Sequence, residues 1–265
     1  MKKTILITGS TDGIGKLTAI KLAKEGHTIY IHGRNPEKVR GVVSEIKTTT
    51  KNEKVKGFVA DFSDLDSVKQ MAEQIKKEIS KIDVLINNAG VYSSSPSRNK
   101  DGLDVRFVVN YLAPYLLTNK LIPLLKKGAE SRIINLSSAA QSSISYKALS
   151  GKEELSEGEA YAQSKLALTM WSFYLAKKLK DIAVVAVNPG SLLGTKMVKE
   201  VFGNFWSPAD KGANILYALS ISEEYNGITG KYFDNDKGTF GMAHSDAYSE
   251  TEIARLISIT NDLVS

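Results

Sequence analysis

The chain has 265 residues, of which 42% are hydrophobic and 24% are charged, and it contains no cysteine. This length and balance describe a globular chain that buries a sizeable core, and they exclude a disulfide-stabilised scaffold and cysteine chemistry. No linker, low-complexity tract or internal repeat divides the sequence, so we predict a single domain over residues 1–265, without a metal site.

The net charge of +6 raises the question of a nucleic-acid partner. The basic pairs are spread over separate predicted helices and interleaved with acids: Lys76-Lys77, Lys126-Lys127 and Lys177-Lys178. Because there is no compact basic stripe with interleaved aromatics, we predict no nucleic-acid binding. A positive field would also favour an anionic cofactor.

The amino-terminal residues carry two lysines followed by a short apolar run. The run is too short for a signal peptide or a membrane span, and the absence of cysteine fits a reducing compartment. The sequence therefore predicts a cytoplasmic protein without a membrane anchor.

The first predicted unit is a strand, a glycine-rich turn and a helix. Thr4–Thr8 has the continuous apolar run of a strand buried on both faces, and residues 15–25 have helical spacing. Glycines let a backbone approach a ligand closely, and the N–H groups at a helix start bind phosphate oxygens. The turn either binds a dinucleotide or only connects the two elements. Its candidate cofactor-binding residues are Gly9, Ser10, Thr11, Gly13, Ile14 and Gly15.

The second strand, Thr28–His32, completes a βαβ unit, because Asn35-Pro36 has the cap and the proline typical of a helix start. A carboxylate at the end of this strand would bind the ribose hydroxyls of NAD, but no acid stands there. Arg34 suits a ribose 2′-phosphate, so we predict NADP over NAD, with Arg34 and Asn35 at the cofactor. Alternatively, Arg34 is a solvated loop residue.

The third and fourth strands are predicted over residues 54–60 and 84–87. A capping box at Ser63–Asp66 is predicted to open the helix between them, which ends near Ser80. The residues that follow each strand are small, acidic or amide-bearing, except for one aromatic. We assign them to the cofactor site, although Asn88 could be only a turn residue: Asp61, Phe62, Asn88, Ala89 and Gly90.

A long helix is predicted over Leu103–Lys127, after a polar loop, and it places Asn110 in an apolar neighbourhood. A buried amide needs hydrogen-bond partners. Asn110 either contributes to a site or only bonds the neighbouring backbone.

The fifth strand, Arg132–Leu136, delivers Ser138 to its carboxyl end, where ligands bind in open α/β sheets. Ser138 either faces the cofactor or caps a turn. The helix predicted over residues 159–180 then places Tyr161 and Lys165 on one face. A cation lowers the pKa of a nearby phenol, and each unit of lowering corresponds to about 1.4 kcal/mol of preference for the phenolate. Beside Lys165, Tyr161 could therefore exchange a proton near neutral pH. Alone, the pair could also be an accident of composition.

The last third of the chain continues the alternation. A sixth strand, Ala183–Val187, leads to Pro189-Gly190, and residues 191–206 mix Gly, Phe and Trp in a way that suits a mobile cover. A helix from Ser207 to about Leu219, a strand Lys231–Phe233 and a closing helix Glu250–Leu263 follow. We predict an α/β fold: a single-domain, doubly wound Rossmann fold with a parallel sheet of about seven strands and helices on both faces.

Taken together, these residues resemble the short-chain dehydrogenase/reductase family over nearly the whole chain. The resemblance rests on the order and spacing of the motifs Thr8-Gly9-x-x-x-Gly13-x-Gly15, Asn87-Asn-Ala-Gly90, Asn110, Ser138, Tyr161-x-x-x-Lys165 and Pro189-Gly190. Asp101-Gly102-Leu103, Tyr115–Thr118 and Ser207–Ala213 further resemble the retinol-dehydrogenase-like branch, which implies NADP and bulky apolar substrates.

The resemblance implies reversible hydride transfer between nicotinamide and a carbonyl or alcohol carbon of a small molecule. It implies that Tyr161 is the proton donor, that Lys165 lowers the pKa of Tyr161 and holds the nicotinamide ribose, that Ser138 bonds the carbonyl oxygen, and that Asn110 anchors a water chain to Lys165. Three further residues would contact the cofactor: Pro189, Gly190 and Thr195. The alternative is a catalytically silent NADP(H)-binding sensor or scaffold.

Two departures limit this resemblance. Between Ser138 and Tyr161 lie 22 residues, more than in much of the family, so a longer loop must border the pocket. Thr195 also stands one position later than usual after Pro189-Gly190. We expect the substrate loops at about 91–102, 139–160 and 191–208.

The predicted helix that carries Tyr161 is apolar on more than one face, through Leu166, Leu168, Met170, Trp171, Phe173, Tyr174 and Leu175. Such a helix either is buried within its own chain or packs on a second subunit. A homo-oligomer is therefore one of two expectations.

Overall fold

The structure, a computed structural model, describes residues 1–265 and contains eight strands in one sheet. The strands are β1 (Thr4–Ile7), β2 (Thr28–Gly33), β3 (Val55–Val59), β4 (Val84–Asn87), β5 (Arg132–Leu136), β6 (Ala183–Asn188), β7 (Lys231–Asp234) and β8 (Thr239–Gly241). Their order across the sheet is β3-β2-β1-β4-β5-β6-β7-β8. All pairs are parallel except β7 with β8.

Ten helices connect and cover these strands. They are α1 (Gly13–Lys24), α2 (Pro36–Thr50), α3 (Leu65–Glu78), α4 (Val105–Phe107), α5 (Ala113–Leu125), α6 (Tyr146–Leu149), α7 (Glu157–Lys178), α8 (Lys196–Phe202), α9 (Ala209–Ile221) and α10 (Glu250–Val264). None of them combines the length and the apolar character that crossing a membrane requires.

The inner strands are buried on both faces because successive side chains enter opposite cores. In β1, Leu6 belongs to a cluster of 46 buried residues under α3, α5, α7 and α10. Its neighbours Ile5 and Ile7 belong to a second cluster of 21 residues under α1, α2 and α9. The continuous apolar runs of the sequence therefore reflect two cores, and the doubly wound fold is confirmed.

The strand order places a topological switch between β1 and β4. The chain runs outward from β1 to β3 on one side and from β4 to β8 on the other. Ligands of open α/β sheets bind at this crevice, beyond the carboxyl ends of the strands. The glycine-rich turn follows β1 and Asn88-Ala89-Gly90 follows β4, so the two motifs flank the switch point.

Several predicted elements differ from the observed ones. The cap of α3 is Asp64, which accepts from the Asp66 N–H, and not Ser63. The helix predicted over Leu103–Lys127 begins at Val105 and is interrupted by a π-helical turn at Val108–Leu112. The β8 strand was missed because its three residues are largely exposed and show no apolar pattern. The short helices α6 and α8 were also missed.

The apolar faces of α7 are covered within the chain. Trp171 is fully buried and packs against Tyr111 and Tyr115. Helix α10 then closes over these two tyrosines, since their hydroxyls bond Thr260 at 2.7 Å and Asn261 at 2.6 Å. Burial within the chain explains the sequence pattern, which therefore gives a homo-oligomer no support.

Candidate functional site

The glycine-rich turn packs directly against the residues after β4. Gly9 has φ +62°, and a Cβ at this position would lie 2.6 Å from the Cα of Ala89. A Cβ at Gly15 would lie 2.5 Å from the side-chain nitrogen of Asn88. Only glycine permits this approach, so the two motifs form one surface at the switch point.

Asn88 fastens this surface with its side chain. Its Nδ2 donates to the carbonyls of Thr8 and Gly9, both at 2.8 Å. The hydroxyl of Thr8 accepts from the backbone N–H groups of Asn88 and Ala89 at 3.0 Å. Asn88 is therefore more than a turn residue, since it holds the carboxyl ends of β1 and β4 together.

The end of β2 lies beside the same turn. Arg34 is exposed, and Asn35 is occupied as the cap of α2, where its Oδ1 accepts from the Lys38 N–H at 2.9 Å. A Cβ at Gly33 would lie 2.5 Å from the methyl carbon of Thr11. The structure thus brings Thr11 and the β2 end together and leaves the Arg34 guanidinium free to meet an anion.

His32 is a buried residue of this region to which sequence reasoning gave no role. Its Nδ1 accepts from the Gly9 N–H at 3.1 Å, and its Nε2 lies 3.0 Å from the carbonyl of Ala60. Its ring stacks on Phe62 with centroids 4.2 Å apart. Burial lowers the pKa of His32 to about 4. Asp61 is exposed, and its Oδ1 accepts from the Ser63 N–H and hydroxyl.

Tyr161 and Lys165 lie together on α7, as predicted. The Lys165 ammonium is 5.5 Å from the centroid of the Tyr161 ring and donates to the Leu136 carbonyl, at the end of β5, at 2.7 Å. Lys165 is only 5% exposed, whereas Tyr161 is partly accessible. Ser156 and Glu159 form a capping box that fixes the start of this helix.

The pKa directions in this pair differ from the expectation. Burial lowers the pKa of Lys165 to about 8. For Tyr161, burial raises the pKa above its ordinary value, while the Ser138 hydroxyl acts in the opposite direction. A lowering by Lys165 is not observed, because the ammonium is directed to the Leu136 carbonyl and not to the phenol oxygen.

Gly90 lies next to the side chains of both Asn110 and Lys165. A Cβ at Gly90 would lie 3.2 Å from the Asn110 Oδ1 and 3.4 Å from the Lys165 Nζ. Asn110 sits in the π-helical turn and bonds both backbone groups of Val91, and its Nδ2 also donates to the Ser164 hydroxyl at 2.9 Å. Its amide thus bonds the backbone of Val91 and the Ser164 side chain of α7, so Asn110 lies beside the Tyr161–Lys165 pair.

The Ser138 backbone is held by two side chains from outside β5. Its carbonyl accepts from Tyr232 at 3.0 Å and from Gln141 at 2.8 Å, and its hydroxyl accepts from the Ala140 N–H at 3.1 Å. Ser138 is partly buried at the carboxyl end of β5, close enough to Tyr161 to act on the pKa of that phenol.

The turn at Pro189-Gly190 is held by residues that the sequence did not single out. Asn188 donates to Asp234 at 3.0 Å and to Asp236 at 2.9 Å, and its Oδ1 accepts from the Gly190 N–H. Beyond the turn, Thr195 caps α8. These contacts place the start of the 191–208 segment at the same sheet edge.

Thr195 and Ile14 contact the glycine turn and α9 respectively. A Cβ at Gly13 would lie 3.6 Å from the methyl carbon of Thr195. A Cβ at Gly212 would lie 3.0 Å from the side chain of Ile14. The later position of Thr195 in the sequence is therefore compatible with a place beside the glycine turn.

An aromatic series lines the side of Tyr161 that faces the loops. The Tyr92 ring lies 5.0 Å from the Tyr161 ring, and Phe202 of α8 lies 5.5 Å from Tyr92. Tyr92 and Phe202 were not predicted as site residues, since only the folded chain brings residues 92, 161 and 202 together.

The doubly wound sheet, with a glycine turn and the Tyr161–Lys165 pair at its switch edge, defines a Rossmann-type dinucleotide-binding protein. Comparisons with known proteins narrow this class. A family model described as short chain dehydrogenase matches residues 3–204. Retinol dehydrogenase 12 from Mus musculus is 34% identical to the chain, covering 99% of this chain and 86% of the relative. Polyprenol dehydrogenase from Homo sapiens is 33% identical, covering 89% and 78%.

Solved structures agree with these relatives. A crystal structure of a short chain dehydrogenase from Shigella flexneri 2a, complexed with NADP, has a TM-score of 0.71 at 28% identity, covering 88% of this chain and 97% of that one. An uncharacterised protein from Mycobacterium paratuberculosis has a TM-score of 0.80 at 25% identity, covering 99% and 93%. The chain belongs to the short-chain dehydrogenase family of oxidoreductases, in its retinol-dehydrogenase-like branch.

Proposed function

We propose that the protein is an NADP-dependent oxidoreductase of the carbonyl reductase or alcohol dehydrogenase type, which acts on an apolar substrate. The observation that carries this proposal is the position of Tyr161 and Lys165 beside Ser138, at the sheet edge that also holds the glycine turn. A proton donor next to a dinucleotide surface is the arrangement that hydride chemistry requires.

The residues at the switch point fit a dinucleotide. Gly9 and Gly15 let the turn pack directly on Ala89 and Asn88, which holds the start of α1 at the switch point, where its N–H groups would bind a diphosphate. Gly13, Ser10 and Thr11 would complete the turn. When bound, the nicotinamide ring supplies or accepts the hydride.

The chain's own residues would supply the proton and the orientation. Tyr161 would donate a proton to the developing alkoxide, and Ser138 would bond the same oxygen. Lys165 would hold the nicotinamide ribose from the floor of the site. The Ser138 hydroxyl, which lowers the pKa of Tyr161, would oppose the effect of burial on this phenol. Asn110 would anchor a water chain near Gly90.

The preference for NADP is proposed from Arg34. Its guanidinium is exposed at the end of β2, where NAD-binding sites need a carboxylate. The Shigella relative, described as complexed with NADP, is consistent with this preference. Losing one charged phosphate contact costs about tenfold to a hundredfold in affinity.

Substituting Arg34 tests this preference. We expect Arg34→Ala to weaken NADPH binding by about tenfold or more and to leave NADH binding unchanged. Lys51→Ala, at the exposed far end of α2, is the matched control and should change neither. Fluorescence titration of both reduced cofactors measures the affinities. Equal loss for NADPH and NADH would remove Arg34 from the phosphate site.

The substrate class is proposed from the walls of the site. Tyr92 and Phe202 offer an aromatic lining next to Tyr161, and two relatives are named for retinol and polyprenol. The decisive experiment is a panel of apolar and polar aldehydes and ketones with NADPH, followed by NADP with the matching alcohols. The proposal expects turnover of apolar substrates. Tight NADPH binding without turnover in either direction would favour the sensor or scaffold.

The cytoplasmic location and the homo-oligomer stay predictions. The proposed oxidoreductase is a single domain, and its substrate loops are residues 91–102, 139–160 and 191–208. Loop 139–160 contains α6 and is tied to loop 91–102, because Arg98 donates to the carbonyl of Gly151 at 2.8 Å.

A further inference from the structure

Two buried histidines accept hydrogen bonds from the backbone at opposite ends of the first strand. His27 lies before β2, and its Nδ1 accepts from the Lys3 N–H at 2.9 Å, at the amino edge of the sheet. His32 lies inside β2, and its Nδ1 accepts from the Gly9 N–H at 3.1 Å, at the carboxyl edge. The two side chains are 5% and 3% exposed. His27 thus makes the same kind of hydrogen bond as His32, but His27 lies away from the proposed cofactor site and His32 lies inside it.

His32 connects three segments around that site. Because Nδ1 accepts from Gly9, the ring proton is on Nε2, which donates to the carbonyl of Ala60 at 3.0 Å. The ring also stacks on Phe62. The glycine turn is thus attached through one neutral ring to the end of β3 and to an aromatic side chain beyond it.

The backbone of His32 adds two more bonds to the turn. Its N–H donates to the Ser10 hydroxyl at 3.0 Å, and its carbonyl accepts from the Ser10 N–H at 2.9 Å. Ser10 in turn donates to the Ile7 carbonyl. Since these backbone bonds survive any substitution of the side chain, a His32 variant would lose the side-chain link alone.

We propose that His32 is a positioning residue that holds the glycine turn against the end of β3, and so fixes the two walls between which the adenosine diphosphate half of the cofactor lies. This inference rests on the proposed function. It assigns to His32 an effect on affinity for any cofactor with that half, whether or not a 2′-phosphate is present. The predicted effect of Arg34, in contrast, depends on the phosphate.

Three variants separate positioning from stability. His32→Phe keeps an aromatic ring for Phe62 but removes both ring bonds, and His32→Asn keeps an acceptor toward Gly9. His27→Phe removes the matched bond at the other edge. We expect His32→Phe to weaken the binding of NADPH and of NADH by the same factor, about tenfold, which corresponds to about 1.4 kcal/mol of binding free energy. His32→Asn should recover part of this loss.

The control should behave differently. His27→Phe should lower the melting temperature about as much as His32→Phe, yet leave both cofactor affinities within twofold of the parent. In turnover assays, His32→Phe should raise KM for NADPH while kcat at saturating cofactor stays unchanged, which a loss of stability alone would not produce.

The outcomes divide clearly. Unchanged affinities in both His32 variants, with a parent protein that binds NADPH, would overturn the role of His32 and leave the proposed function intact. A loss confined to NADPH would also overturn it. If His32→Phe does not fold, His32→Leu, which also removes both ring bonds, carries the test, and affinities equal to those of the parent would refute positioning. A parent that binds neither cofactor would overturn both proposals.

Discussion

The cofactor end of the sheet and the 191–208 segment are built in opposite ways. At the switch point, Asn88, His32 and the glycine turn are joined by hydrogen bonds that reach across four strands, counting β1 to β4. In the 191–208 segment, α8 has no buried residue, and Phe202 is 51% exposed. The switch point is held by buried hydrogen bonds, whereas α8 is a surface helix of the 191–208 segment.

This difference separates two tasks. A dinucleotide has one shape, so its site gains from atoms held by strands and by glycines that admit no other residue. A substrate must enter and leave, so α8, in the covering segment 191–208, has no buried residue that resists opening. Substitutions at the sheet edge should therefore affect stability and cofactor binding together, and those in α8 should affect substrate use alone.

The largest effect is expected at Gly9. Gly9→Ala places a Cβ 2.6 Å from the Ala89 Cα in a left-handed conformation, so the backbone of the turn must move. We expect the free energy of unfolding to fall by about 4 kcal/mol, with NADPH affinity at least tenfold weaker. Urea denaturation and cofactor titration measure the two.

Gly203→Ala is the control for backbone strain, because Gly203 also has positive φ, +73°, but nothing lies within 4 Å of its Cβ position. The free energy of unfolding of Gly203→Ala should fall by only about 1–2 kcal/mol, and this variant should bind NADPH as the parent does. Equal effects of the two substitutions would mean that the turn and the β4 end are not rigidly joined.

The next effect concerns the pH dependence of His32. Its pKa of about 4 lies below the ordinary 6.5, mainly through burial, while the hydrogen bond to the Ala60 carbonyl and the Asp61 carboxylate act in the opposite direction. Between these values the unfolded chain binds a proton that the folded chain does not, so stability falls as pH falls from 6.5 towards 4. From pH 7 to pH 5 this amounts to about 2 kcal/mol.

Urea denaturation of the parent and of His32→Asn at both pH values isolates this contribution, since all carboxylates and His27 are common to the two proteins. The parent should lose about 2 kcal/mol more than His32→Asn over the interval. An identical loss in both would show that His32 accepts a proton in the fold without disturbing Gly9.

The smallest effect on stability is expected in the covering segment. Phe202→Ala removes the contact with Tyr92 from a half-exposed side chain, so stability should change by less than about 0.5 kcal/mol. KM for an apolar substrate should rise about threefold to tenfold, without a change in NADPH affinity. Trp206, in the same segment, is 77% exposed. Trp206→Ala should therefore leave stability, KM and NADPH affinity unchanged.

A rise of KM in both variants would point to a general opening of the segment instead of a contact by Phe202. A weaker NADPH affinity in Phe202→Ala would show that Phe202 also supports cofactor binding. The contrast between the two regions would then be wrong.

The sequence was sufficient for the features that depend on residue type and local spacing. The glycine turn is recognisable because only glycine tolerates its geometry, and Tyr161 and Lys165 are recognisable because a helix brings residues four apart to one face. The parallel strands were recognisable from apolar runs that two cores explain.

The features that were missed depend on contacts between distant parts of the chain. His32 reads as an ordinary strand residue until Ala60 and Phe62 are brought beside it, and Tyr92 reads as a loop residue until it meets Phe202. The pKa direction of Tyr161 could not be read either, because spacing on a helix does not reveal that Lys165 bonds the Leu136 carbonyl.

The most direct test of the proposed proton donor compares two neighbouring phenols. Tyr161 and Tyr92 have rings 5.0 Å apart, so Tyr161→Phe and Tyr92→Phe remove one hydroxyl each from the same part of the site. With an active carbonyl substrate and saturating NADPH, Tyr161→Phe should lower kcat by about 10²- to 10⁴-fold and leave NADPH affinity unchanged, whereas Tyr92→Phe should stay within threefold of the parent. A Tyr161→Phe enzyme that also stays within threefold would contradict the assignment of Tyr161 as the acid.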